Sequence, residues 1–213
     1  MSWTLEAWRT IDGLEHGFGG RDESNPKDVA TLRQEHGRIV HDASEIVPGE
    51  SGDALVVSNP GMMVGVWTAD CVPVLLVSPS SRVAAVAHSG WRGSLAGIVE
   101  ATLERLARGC GVRPRDLDCA LGPTIGGCCY EVGSELRDAF VERHGASAER
   151  SFEIRGGRLF LDLRTFLESR LHALGVNRVE RVGPCTGCRT DVLYSYRREG
   201  PTGRQLSWIG WKR

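Results

Sequence analysis

No stretch of this chain is apolar for the length of a bilayer span; its longest hydrophobic runs, 72–77 and 83–87, are the length of single strands, so no membrane segment is expected. An excess of one charge is also missing. With 26 basic against 27 acidic residues and a formal net charge of -1, no overall field draws the molecule toward nucleic acid or anionic lipid, and any anion site has to be local. Internal repeats, low-complexity tracts and long polar linkers are absent, and the residues are expected to form a single domain over 1–213. The N-terminal MSWTLEAWRT lacks a cationic region followed by an apolar run and a small-residue cleavage site, which sets a cytoplasmic address as the expectation. In that compartment the seven cysteines are expected as thiols, each needing its own explanation as buried filler, ligand or nucleophile. Histidine is scarce, at six residues, which limits any imidazole-rich metal cage.

What is present is an ordinary globular mixture, 41% hydrophobic and 25% charged. Short runs rich in β-branched residues and bounded by Asn, Pro, Ser or Gly, at 54–57, 62–68, 74–77 and 83–88, read as strands, and 118–121, 159–161 and 205–209 as further ones. Leu95, Ile98, Val99, Leu103 and Leu106 recur at helical spacing and predict one helix over 94–108, stopped by Gly109, Gly111 and Pro114. A second helix is expected over 163–174, capped by Asp162 and closed by Gly175, and a third over 134–144. Strands come in consecutive groups rather than alternating with helices. The expected class is therefore α/β of the α+β layered-sandwich kind, mixed sheets flanked by helices.

Three groups of residues could carry chemistry. Thr68-Ala69-Asp70-Cys71 follows one strand and His88-Ser89-Gly90-Trp91-Arg92-Gly93 another, so Cys71 and His88 would emerge near each other if those strands share a sheet. Thiolate and imidazole are preferred zinc ligands, and His36 in Gln34-Glu35-His36-Gly37 could supply a third. Against this stands the plainer reading, in which a lone Cys fills core and a lone His is a hydrogen-bonded core or surface residue. Cys185-Thr186-Gly187-Cys188 has metal-ligand spacing but no second Cys or His pair nearby in the sequence, which favours a non-metal role. The second group is arginine: Arg21 after a Gly-Gly pair and Arg92 in a Gly-flanked turn suit a phosphate or other oxyanion, whereas Arg197 and Arg198 read as surface charge. The third is the glycine-rich 122–133, which lacks the Lys-Ser/Thr ending of a phosphate loop; Cys128 or Cys129 within it is a nucleophile candidate with no partner base discernible from spacing.

Segments 18–21, 34–37, 68–73, 88–93, 122–133 and 195–205 occur in an order that resembles the family founded on bacterial YfiH proteins, labelled variously polyphenol oxidase laccase and purine nucleoside phosphorylase. The resemblance covers most of the chain. It implies a single metal ion, zinc with copper as the alternative, on the His of Gln-x-His-Gly, the Cys of Ala-Asp-Cys and the His of His-x-Gly-Trp-Arg, here His36, Cys71 and His88. It further implies phosphorolysis of adenosine, inosine and methylthioadenosine, with adenosine deamination as a companion activity. Purine nucleoside and phosphate would be the partners, with a homodimer open as an assembly. Cys71, His88 and Asp70 would then be the catalytic group, Asp70 behind the thiolate ligand or as a proton carrier, with Arg21 and Arg92 on the phosphate. Two departures bear on substrate choice: Asp22-Glu23-Ser24-Asn25 replaces a longer glycine-rich loop, and Glu35 stands where the family has a small apolar residue. The competing readings are a copper polyphenol oxidase, a Cys71–His88 thiol hydrolase, and a non-enzymatic protein with a structural zinc.

Overall fold

The computed structural model describes residues 2–213. In chain order it contains β1 (Leu14–Phe18), β2 (Val29–Ala30), β3 (Val40–Asp42), β4 (Ala54–Val57), β5 (Met63–Thr68), β6 (Val72–Ser78), β7 (Val83–Ser89), α1 (Trp91–Ala96), α2 (Ile98–Cys110), β8 (Asp118–Leu121), β9 (Glu131–Val132), α3 (Ser134–His144), β10 (Phe152–Arg155), β11 (Arg158–Leu161), α4 (Leu163–Ala173), β12 (Arg178–Arg181), α5 (Tyr196–Glu199) and β13 (Gln205–Trp211). Six strands form one mixed sheet in the order β12-β8-β6-β7-β4-β3, four form a second, β1-β13-β5-β2, and β10-β11-β9 make a small third.

The six-stranded sheet is buried on both faces, which is why its central strands read as unbroken apolar runs. Period-two alternation then divides each strand between two cores. Val72, Val74 and Leu76 of β6, with Ala85 and Ala87 of β7, meet Ile98, Val99, Leu103 and Leu106 of α2 and Leu163, Phe166, Leu167 and Leu171 of α4. Leu75 and Val77, with Ala84 and Val86, point the other way and meet Val64, Val66, Ile209 and Trp211 of the four-stranded sheet. The result is helices, sheet, sheet: the mixed α+β sandwich expected from the grouping of strands. Each fully buried Leu or Val contributes about 1.5–3 kcal/mol by removal from water, so the hairpin β6–β7 at the centre of both cores is the rigid base of the molecule.

The helix expected over 94–108 is two helices. Gly97 adopts φ 89°, ψ 46°, closing α1 through N–H bonds to the Gly93 and Ser94 carbonyls at 3.0 and 3.2 Å before α2 departs. Glycine takes that left-handed conformation without Cβ strain, and a buried hydrogen bond between the Ser89 and Ser94 hydroxyls, 2.8 Å, pins α1 to the end of β7. The apolar spacing runs through the break and conceals it. The helix after Asp162 behaves as its cap predicts: Oδ1 accepts the Thr165 N–H at 3.0 Å, and Gly175 follows the last turn at φ 94°. Among the described residues no helix is long and apolar enough to cross a membrane.

Candidate metal centre

Cys71 immediately precedes β6 and His88 lies near the end of β7, where antiparallel register sets it opposite Pro73. The pairing of two central strands thus brings residues from separate motifs to one sheet end. His36 arrives from outside the sheet. Its loop is docked by Gln34, whose amide donates to the Trp67 carbonyl and accepts the Trp67 N–H, both at 2.8 Å, satisfying β5 as a neighbouring strand would. His36 itself has φ 61°, a left-handed conformation uncommon for residues other than Gly.

Asp53, fully buried one residue before β4, holds the arrangement together. Its Oδ1 accepts the His36 N–H at 2.9 Å and meets His88 Nδ1 at 2.8 Å, while Oδ2 accepts the N–H of Gly37 at 2.7 Å and of Glu35 at 3.3 Å. One carboxylate therefore orients one imidazole directly and fixes the strained backbone that carries the other. With Nδ1 turned to Asp53, His88 presents Nε2, the carboxylate–histidine relation that raises ligand basicity in metal sites. Nothing in the sequence flagged Asp53, because its partners lie 16 to 35 residues away.

The ligand atoms of His36, Cys71 and His88 lie within 4.8 Å of one another, and the two imidazole rings stand edge to face at 4.7 Å. Room for this convergence comes from Gly90, where an added Cβ would lie 2.8 Å from Cys71 Sγ and 3.1 Å from His36 Cδ2. Electrostatics favour a thiolate at Cys71 paired with a protonated imidazole at His88, and a bound metal ion would displace that proton. Burial opposes charge on Cys71, yet contacts with His36 and His88 outweigh it and bring the thiol down to about 7. Burial likewise opposes charge on His88, but Asp53 and Cys71 raise it to about 9. Asp53 is held below the usual carboxylate range, its burial overcome by His88 and the Gly37 and His36 amides. The donor set, its buried carboxylate and the space kept by Gly90 fit a zinc-sized ion with three protein ligands and one further position.

The other expected residues are placed as follows. Asp70, at φ 91°, accepts the Thr186 hydroxyl at 2.5 Å and the Arg197 N–H at 2.7 Å on its two oxygens, and its carbonyl accepts the Ile125 N–H at 3.0 Å and the Thr124 hydroxyl. Arg92 lies over the Trp91 ring at 4.4 Å and has no ion-pair partner among the described residues. Arg21 is engaged: it pairs with Glu199 at 2.6 Å, donates to the Leu193 carbonyl at 3.1 Å and stacks over Tyr194 at 4.3 Å. The short loop after it is tied to the same segment, Asp22 accepting the Tyr194 hydroxyl at 2.6 Å. Glu35 is occupied by Ser51 and Arg33. Arg197 is more than surface charge, since its guanidinium caps the Tyr130 ring at 5.1 Å and bonds the Glu131 carbonyl. Tyr130, missed in the sequence, is pushed up to about 12 by burial and by the charge of Cys71. The Cys185–Cys188 pair is not isolated either, because the fold brings Cys128 and Cys129 against it.

Residues 20–212 match the family model described as multi-copper polyphenol oxidoreductase laccase. The chain is 41% identical over 184 residues to purine nucleoside phosphorylase PA4543 of Pseudomonas aeruginosa, covering 84% of this chain and 73% of that one. It is 34% identical over 185 residues to purine nucleoside phosphorylase YfiH of Escherichia coli, covering 86% and 74%. The crystal structure of Neisseria meningitidis protein NMB0706 superposes with a TM-score of 0.88 at 28% identity, over 100% of this chain and 99% of that one. By these matches the chain belongs to the YfiH family, the group whose model carries the laccase description.

Proposed function

We propose that the chain is a zinc-dependent purine nucleoside phosphorylase, cleaving the N-glycosidic bond of adenosine, inosine and S-methyl-5'-thioadenosine with phosphate to release free base and the (methylthio)ribose 1-phosphate, with adenosine deamination as a companion activity. The observation that carries this reading is the Asp53-anchored His36, Cys71 and His88 cluster in a chain 34–41% identical to proteins named purine nucleoside phosphorylase. His36, Cys71 and His88 would hold the zinc, which when bound supplies a Lewis acid with one position for substrate or water. Asp53 keeps the His88 tautomer and the His36 backbone in place. Of the two arginines assigned to phosphate, Arg92 is the one with no ion-pair partner among the described residues; Arg21 serves phosphate only by opening its Glu199 pair. Asp70, with both carboxylate oxygens occupied, acts in this reading as a positioning residue behind Cys71, holding Thr186 and Arg197 against the site. Tyr130, protonated at neutral pH, offers a hydrogen bond to the leaving base or the sugar.

The family description supports copper as the alternative metal. The described residues, however, contain two groups of donors able to hold a metal ion, this trio and a set of four cysteines, and neither is the imidazole-rich cage a trinuclear copper cluster needs. A second reading draws on the Cys71–His88–Asp53 line, since a thiol at about 7 beside an imidazole backed by a carboxylate is also a hydrolase arrangement. Adenosine, supplied with and without phosphate, distinguishes these readings when adenine, ribose 1-phosphate and inosine are quantified. Phosphate-dependent adenine and ribose 1-phosphate are expected. Base release indifferent to phosphate, or turnover unchanged in a folded, metal-free Cys71→Ala protein, would overturn the proposal. Alkylation of Cys71 only after chelation supports the ligand role, whereas labelling regardless of chelator supports the hydrolase.

A further inference from the structure

Four of the seven cysteines meet at one point away from the His36 site. The turn at 126–129, closed by the Cys129 N–H on the Gly126 carbonyl at 2.9 Å, presents Cys128 and Cys129; the turn at 185–189, closed by the Cys188 and Arg189 N–H groups on the Cys185 carbonyl at 3.2 and 3.1 Å, presents Cys185 and Cys188. Cys128 and Cys129 Sγ lie 3.5 and 3.4 Å from Cys188 Sγ, and all four sulfurs fall within 4.8 Å of one another. Four sulfurs bound at about 2.3 Å to a tetrahedral ion stand about 3.8 Å apart, a spacing these contacts bracket. A disulfide would join two of them at about 2.05 Å and leave the convergence of the others without a cause.

Two of the four sulfurs receive donors suited to a thiolate. The Gly126 N–H donates to Cys185 Sγ at 3.1 Å and the Arg198 guanidinium to Cys129 Sγ at 3.3 Å, so a backbone dipole and a full positive charge offset the surplus negative charge of four thiolates on a divalent ion. Gly126 and Gly187 keep the space open: an added Cβ would meet Cys128 Sγ and Cys185 Cβ at 3.4 Å in the first case and Cys129 Cβ at 3.0 Å in the second. Cys128 and Cys185 border a cleft of about 510 Å³, which gives an ion a path in.

We propose that Cys128, Cys129, Cys185 and Cys188 form a second metal site, a closed tetrathiolate that binds one zinc ion and staples the 122–130 loop to the long connection between β12 and β13. That connection, residues 182–204, has α5 as its one helical turn and joins the 122–130 loop through the Thr124–Cys185 bridge, the point at which the cysteines gather. What it carries explains the staple. Thr186 and Arg197, both on this connection, grip the Asp70 carboxylate, while Thr124 and Ile125 on the other loop grip its carbonyl. The two segments joined by the cysteines are the two that clasp the residue preceding Cys71. The site is closed by four protein ligands, in contrast to the three of the His36 centre, and its role is structural.

The test is a count of zinc in protein purified under reducing conditions and loaded with zinc alone. Two equivalents per chain are expected in the native protein, one in His88→Ala and one in the Cys185→Ser/Cys188→Ser double variant. Cobalt substituted into His88→Ala should give the intense thiolate-to-metal charge-transfer bands of a tetrathiolate. One equivalent in the native protein with none in His88→Ala would overturn the site, as would a disulfide among the four cysteines in the reduced preparation. The native and His88→Ala counts decide the matter even if the double serine variant fails to fold, and neither depends on which nucleoside the protein uses.

Discussion

The two donor clusters are built in opposite ways. His36, Cys71 and His88 are set by the register of two central strands and by one buried carboxylate that satisfies three backbone N–H groups and an imidazole. Cys128, Cys129, Cys185 and Cys188 stand on tight turns outside the sheets, with Cys128 and Cys188 exposed. A centre that must keep a coordination position for substrate cannot be closed by its own ligands, so its rigidity has to come from the protein around it. A closed centre has no such need, since four bonds to one ion order the loops that supply them. The difference teaches where support should be sought if both clusters hold the proposed ions: Asp53 and the sheet for the first, the metal itself for the second.

Substitutions that separate these supports should act at different sizes. Cys71→Ala or His88→Ala removes a ligand, and loss of a Lewis acid contributing several kcal/mol to the transition state should lower phosphate-dependent base release by about 10³-fold or more while the cysteine cluster keeps its ion; paired zinc analysis and product quantification check both halves. Asp53→Asn keeps shape but weakens the imidazole's partner, and a reduction in zinc affinity of about 10–100-fold at the first site alone is expected, measured by competition with a chelator. Gly90→Ala forces Cys71 Sγ and His36 apart at a cost of about 1–3 kcal/mol, seen as a fall in Tm of several degrees with loss of metal from the first site.

His16 sharpens the role assigned to Asp53. It is buried like His88, but among the described residues it has no carboxylate partner: its Nε2 accepts the Leu5 N–H at 2.9 Å, and burial pushes it down to about 4. Because this folded-state value lies below that of the unfolded chain, about 6.5, the unfolded state binds the proton more readily between them. The neutral imidazole's contribution is therefore fully present above pH 6.5 and lost as pH falls toward 4, about 3 kcal/mol in all. Denaturant midpoints at pH 7 and pH 5 should show part of this loss, and His16→Gln, which keeps an acceptor without titrating, should flatten the difference. An unchanged slope in that variant would assign the acid sensitivity elsewhere.

Much of the frame could be read before any coordinates. The β4, β7 and β8 segments and the helices after Gly133 and Asp162 follow from apolar runs, spacing and capping residues, because these signals are local in the chain. The short or half-exposed strands β2, β3, β9 and β12 carry no comparable pattern, since backbone pairing rather than side-chain burial defines them. Gly97 broke a helix whose apolar spacing continued through it. In the site, the three metal-binding candidates were visible through their motifs, whereas Asp53 and Tyr130 were not. Arg197 and Arg198, read as surface charge, turned out to contact Tyr130 and Cys129.

By itself, then, the sequence determined the donor chemistry: which thiols and imidazoles exist, which glycines permit close approach, and which segments become strands and helices. Tertiary structure alone decided which donors meet. Asp53 reaches His88 across 35 positions, and Cys129 reaches Cys188 across 59. No local pattern encodes such a distance, because contact between remote residues is set by how sheets and loops pack once the chain has closed on its core.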